Sequence, residues 1–120
     1  MSVAVPGYVV RHADAIEYQP TDPSEFIDGV QVGEEHVLRS EGSHGNEHEA
    51  YLWRTGAPAR CEYLFPGDES FCVLEGSATI DLGTGEHIEL KAGDIASFPK
   101  GAHSVWTFSE PFKKFGVTSN

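Results

Sequence analysis

Cysteine is scarce in this chain: Cys61 and Cys72 are the only two among 120 residues, too few for the disulfide framework that staples small secreted folds. Both read as buried thiols. Basic side chains are scarce as well, eight lysines and arginines against 19 aspartates and glutamates, for a formal charge of −11. Without a basic patch to meet phosphates, nucleic acid is excluded as a partner. Long apolar runs are missing too. No stretch approaches the roughly eighteen apolar residues of a membrane span, and residues 1–10 lack the charged start and apolar run of a secretory signal. A cytoplasmic protein with no membrane partner is expected. Also absent is any helical periodicity beyond a short stretch, which points away from bundles and α/β folds.

What the chain has instead is short alternating runs between glycine and proline corners. Its length suits one domain, residues 1–120, burying about two-thirds of its unfolded surface. Residues 1–49 read as an N-terminal arm, edge strands and a polar loop, and residues 50–117 as the core. In the arm, Asp22 as cap and Pro23 in the first helical position begin a short helical turn. The polar stretch 39–49 carries His44, Glu47, His48 and Glu49 and reads as a solvated loop over a pocket mouth.

The most informative stretch is 60–76. Runs 61–65 and 70–74 flank Pro66-Gly67-Asp68-Glu69, which is turn material, so a hairpin is expected. Pairing Phe65 with Ser70 puts Glu62, Leu64, Glu69, Phe71 and Val73 on one face, and Cys61, Tyr63, Phe65, Ser70, Cys72 and Leu74 on the other. Residues 77–82 and 86–90 form a second hairpin around Gly83-Thr84-Gly85. Strands at 95–98, 103–108 and 112–117 follow. Close, regular spacing of this kind means an all-β antiparallel sandwich or barrel. Tyr51, Trp53 and Tyr63 read as sheet residues, and Lys113-Lys114 as a solvated strand edge.

Residues 53–117 resemble the cupins, in particular the small single-domain cupins related to (S)-ureidoglycine aminohydrolase and to the ethanolamine-utilisation cupin. The resemblance rests on Val73-Leu74-Glu75-Gly76, Gly85, Ala92-Gly93-Asp94, Phe98-Pro99-Lys100-Gly101, Trp106 and Glu110-Pro111-Phe112-Lys113-Lys114. It implies a double-stranded β-helix, a jelly-roll-like barrel with a pocket at one mouth, and a homodimer. It also implies positions for a metal. Anchoring the first cupin motif on Gly76 puts its glutamate at Glu69 and its two histidines at Glu62 and Leu64; the second motif fits Gly93, Pro99 and Gly101, with its histidine at Ser104 and its asparagine at Phe108.

Two carboxylates and a serine are too few donors for a tight transition-metal site. The expected function is therefore the binding of a small polar nitrogen-containing metabolite, a ureido compound or an amine. Glu62 and Glu69 would anchor it, with Leu64, Phe71, Ser104, Trp106 and Phe108 around it. One alternative is a metal-dependent enzyme of the aminohydrolase or isomerase type. Strict alternation turns His103 outward, but a bulge after Gly101 would turn it inward, where Glu62, Glu69 and His103 could hold Mn, Zn or Fe weakly. Another is a non-catalytic assembly or regulatory module, its pocket plugged by Leu64, Phe71, Trp106 and Phe108. Whether the chain is an enzyme stays open at this point.

Overall fold

Alternation over short runs becomes strands because side chains at every second position can then be buried while the rest face water. In the computed structural model, which describes residues 8–41 and 47–119, ten strands follow one another almost without helix. They are β1 (Gln19–Pro20), β2 (Glu34–Glu41), β3 (Glu47–Thr55), β4 (Ala59–Leu64), β5 (Asp68–Glu75), β6 (Ser77–Leu82), β7 (His87–Lys91), β8 (Ile95–Phe98), β9 (His103–Phe108) and β10 (Phe112–Ser119). Two antiparallel sheets result, one ordered β1-β2-β3-β10-β5-β8 and the other β4-β9-β6-β7. The all-β expectation holds. Among the described residues, no helix is long and apolar enough to cross a membrane.

The inner faces of the two sheets meet in an aromatic core. Phe65 stacks on Phe98 at 4.7 Å between ring centroids, Trp53 meets Phe108 at 5.5 Å, and Phe108 meets Phe112 at 5.1 Å. Each buried ring of this size contributes about 1.5–3 kcal/mol relative to exposure. The expected β6–β7 hairpin forms, with Ala78 opposite Leu90 and Ile80 opposite Ile88.

The expected hairpin over 60–76 does not form. β4 pairs with β9 in one sheet, and β5 pairs with β10 and β8 in the other, so Phe65-Pro66-Gly67 is an arch that carries the chain between sheets. The turn residues marked a corner correctly but not its kind. An arch lets Phe65 on one side and Phe71 on the other both point into the core, which a flat hairpin with the expected register forbids. Phe65 is pinned by its backbone, its N–H donating to the Ala102 carbonyl and its carbonyl accepting from Gly101. Gly67 packs so closely on Ser119 that a Cβ there would strike the Ser119 carbonyl at 2.5 Å.

The N-terminal segment crosses the open end of the sandwich. Its helical signal amounts to one 3₁₀ turn, Pro23–Glu25, capped by Asp22, whose carboxylate accepts from the Ser24 N–H at 2.9 Å. The segment is tied down at both ends: the Trp53 indole donates to the Thr21 hydroxyl at 3.0 Å, and the Ile27 N–H donates to the Glu62 carbonyl at 2.9 Å. Residues 39–41 and 47–49, expected in a loop, extend β2 and β3 instead, while His44 falls outside the described residues.

Candidate binding site between the sheets

Inward positions at one end of the sandwich line a cavity of about 460 Å³. β3 supplies Glu49, Tyr51 and Trp53, spaced by two as alternation requires. β10 supplies Lys114 and Thr118, β5 Glu69, β4 Cys61 and Tyr63, and β9 Trp106; Thr21, Glu25 and Phe26 of the N-terminal segment and Glu35 of β2 close the mouth. Register decides who meets whom. Lys114 lies opposite Trp53, Gly116 opposite Tyr51, and Thr118 opposite both Glu49 and Glu69.

At the inner end stands Glu69, only 1% exposed. Its Oε1 accepts from the Tyr63 hydroxyl at 2.7 Å and from the Thr118 hydroxyl at 3.0 Å. Its Oε2 accepts from the Tyr51 hydroxyl at 2.6 Å and from Lys114 Nζ at 3.1 Å. Four donors leave this carboxylate saturated. Burial pushes its pKa up, but the Lys114 charge and the hydrogen bonds from Tyr51, Tyr63 and Lys114 more than offset this, and the carboxyl sits below its ordinary value. The reciprocal effect falls on the phenols. Burial first, then the charge of Glu69, hold both Tyr51 and Tyr63 above the usual tyrosine range, so they stay protonated donors.

Tyr51 reaches Glu69 because Gly116 has no side chain. A Cβ at Gly116 would run into the Tyr51 hydroxyl and ring carbon and press on Phe71. Lys114 is 6% exposed, with Nζ 4.5 Å from the Phe71 ring centroid and 4.7 Å from that of Trp106. Its ammonium therefore rests among aromatic faces with one carboxylate beside it.

At the mouth, Glu25, Glu35 and Glu49 bring one carboxylate oxygen each within 4.8 Å of one another. Glu25 is exposed and Glu35 and Glu49 are half-buried, and partial loss of solvent followed by neighbouring negative charge holds all three above the ordinary carboxylate range. Glu25 is pushed up to about 7, and the charges it feels, those of Glu35, Glu49, Asp22 and Glu69, all have its own sign. The cavity is thus acidic at its entrance, aromatic along its walls and closed by a neutralised ion pair within.

Of the residues expected to line a pocket, Glu69 and Trp106 do so. Phe71 lies beneath Lys114, and Phe108 is packed among Trp53, Trp106 and Phe112 in the core. Ser104 is buried with its hydroxyl committed, donating to the Tyr63 carbonyl at 2.8 Å and accepting from the Trp106 indole at 3.0 Å. Glu62 and Leu64 must be corrected. They turn away from the cavity, Glu62 in an ion pair with Arg60 at 2.9 Å and Leu64 49% exposed, because the corner after β4 is an arch between sheets, which turns the Cys61, Tyr63 and Phe65 face of β4 toward the Glu69 and Phe71 face of β5. Cys61 and Tyr63 face inward in their place. His103 is exposed, away from Glu69, so Glu62, Glu69 and His103 do not converge. His48, expected in solvent, lines the cavity.

The largest omission is Lys114, expected at a solvated edge and found buried. A signal was available: Phe112, Lys114 and Gly116 share one face of β10, and an inward Phe112 carries Lys114 inward with it. The mouth glutamates come from three separate segments with no common spacing, and nothing in the sequence brings them together.

The inner donors do not suit the metal that the cupin resemblance implies. Glu69 has no oxygen lone pair left to give, an ammonium already stands 3.1 Å from it, and burial pushes the neighbouring Cys61 thiol up to about 12.

Residues 43–115 match the family model of the EutQ-like cupin domain. No curated protein sequence matches the chain. Among solved structures, one described as ethanolamine utilization protein Q from Salmonella typhimurium LT2 aligns with a TM-score of 0.73 at 22% identity, covering 92% of this chain and 84% of that one. KdgF from Halomonas sp. aligns at 0.68 and 16% identity, covering 93% of each chain. The cupin domain of Schizosaccharomyces pombe Cnp3 aligns at 0.67 and 15% identity, covering 98% of this chain and 76% of that one. Likeness at such identities establishes the fold alone.

Proposed function

The chain belongs to the EutQ-like cupin family, and we propose that it binds a small nitrogen-containing cation, an amine or a relative of one, in the cavity between its sheets. One observation carries this reading: three carboxylates meet at the entrance of an aromatic-walled cavity, each held above its ordinary pKa by partial desolvation and like charge. A cationic ligand relieves that repulsion and gains three charge-assisted hydrogen-bond acceptors. Trp53 and Trp106 give its carbon skeleton flat apolar walls, the usual make-up of a small-molecule site. The anchors differ from those expected from sequence: Glu25, Glu35 and Glu49 take the place of Glu62.

The site supports binding, and we assign no catalytic step to it. Glu69 is ionised and saturated, while Tyr51, Tyr63 and Cys61 are pushed away from reactive, ionised forms. Titration calorimetry with n-butylamine tests the reading. Binding that weakens at least tenfold in Glu25→Gln/Glu35→Gln/Glu49→Gln supports it; equal affinity in both proteins removes the site.

A second reading has the same triad in its favour, since three carboxylate oxygens suit a hard divalent cation. Elemental analysis of protein purified without chelator separates the two. Stoichiometric Mg, Ca or Mn, lost in the triple variant, would favour the metal, whereas less than about a tenth of an equivalent would remove it.

A further inference from the structure

The inner end of the cavity specifies the other half of the ligand. An ammonium has three N–H donors. That of Lys114 gives one to Glu69 Oε2 at 3.1 Å, and the described residues offer its Nζ no second hydrogen-bond acceptor. Around the remaining donors stand the ring faces of Phe71, Trp106, Tyr51 and Trp53, which offer no oxygen acceptor, although Lys114 lines the cavity. A buried charged donor with spare N–H groups at the end of a binding cavity is a place for an oxygen acceptor.

The charge of that oxygen follows from the surroundings. Lys114 and Glu69 cancel one another, so the inner end carries no net charge to balance an anion, and a ligand carboxylate there would stand beside the Glu69 carboxylate. The mouth adds three more acids. A neutral carbonyl oxygen takes the free N–H without adding charge. The register points to a short spacer: Thr118 of β10 is flanked by Glu49 of the mouth on one side and on the other by Glu69, to which Lys114 Nζ is bound.

From this we infer that the ligand is an amine bearing a neutral carbonyl oxygen a few carbons away, as in an amino-amide, with its nitrogen at Glu25, Glu35 and Glu49 and its oxygen on Lys114. The inference rests on the amine reading above and is tested so that the two can fail separately. Calorimetry compares 4-aminobutanamide with its apolar isostere 4-methylpentylamine and with 4-aminobutanoate. The amide is expected to bind about tenfold tighter than 4-methylpentylamine, one charge-assisted hydrogen bond, and tighter than 4-aminobutanoate. In Lys114→Met/Glu69→Gln, which leaves no lone buried charge, the ratio of amide to isostere affinity should fall to about one.

An isostere that binds as well as the amide overturns the role of Lys114 and leaves the amine site standing. A carboxylate that binds tightest overturns the neutral oxygen. An amide advantage that survives in the double variant moves the acceptor contact elsewhere. No binding by any of the three removes the amine reading and this inference together. The three-ligand comparison on the unmodified protein decides the question even if the double variant does not fold.

Discussion

The Glu69–Lys114 pair should behave as a coupled unit whose members are worse apart than absent. Lys114→Met leaves a carboxylate 1% exposed without its counter-charge, and breaking a buried pair in this way costs about 3–5 kcal/mol. Here the hydroxyls of Tyr51, Tyr63 and Thr118 still donate to Glu69, so the lower end, about 3 kcal/mol, is expected. Glu69→Gln leaves the ammonium over Phe71 and Trp106, whose faces recover about 1–2 kcal/mol of the loss, for a net cost of about 2 kcal/mol. The double variant Lys114→Met/Glu69→Gln carries no buried charge and should lose only about 1 kcal/mol. The coupling is then about 4 kcal/mol. With an unfolding entropy of about 2.1 cal/mol/K per residue, a chain of 120 residues loses about 12 °C of Tm for 3 kcal/mol. Urea unfolding followed by tryptophan fluorescence at pH 7 reads all four proteins. Losses in the two single variants that simply add in the double, to within about 0.5 kcal/mol, would refute the reasoning.

Two further outcomes follow from the same site. Glu25, pushed up to about 7 from 4.5 by burial and like charge, makes the folded state hold more protons than the unfolded state between those values. Its contribution to stability is therefore present at the acid end and lost as pH rises through the window, by about 1 kcal/mol once solvent screening is allowed for. Unfolding of the unmodified protein and of Glu25→Gln from pH 4.5 to 7.5 isolates this term; a difference that grows in the opposite direction contradicts the placement of Glu25. Separately, Gly116→Ala drives a methyl into Tyr51 and should cost about 1–3 kcal/mol while displacing the hydroxyl from Glu69, seen in urea unfolding; a variant as stable as the parent contradicts that close approach.

Local chemistry in the sequence specified the elements that depend on neighbours alone. The β6–β7 hairpin needed only alternation and a Gly-Thr-Gly corner, and the inward set Glu69, Phe71 and Val73 of β5 followed from period two. β4 was given the wrong inward face because its partner is not β5 but β9, which pairs Cys61 with Trp106, some forty-five residues away in sequence. Turn residues cannot report that partner. The helical turn after Asp22 was legible from its cap and proline, but not its task of carrying Glu25 to the cavity mouth.

That change of face matters because it exchanges chemistries as well. Had Glu62 and Leu64 pointed inward, Glu69 would have faced a second carboxylate and an aliphatic, and a cation would have been needed to hold the two acids together. With Tyr63 inward instead, Glu69 receives a phenol at 2.7 Å, and with Tyr51, Thr118 and Lys114 its four acceptor positions are filled from within the protein. The unmet negative charge lies instead at the mouth, on Glu25, Glu35 and Glu49, where a ligand arriving from solvent reaches it first. On the proposed reading, a cationic nitrogen would therefore be recognised at the entrance, and the inner pair would select among cations by what they carry at their far end.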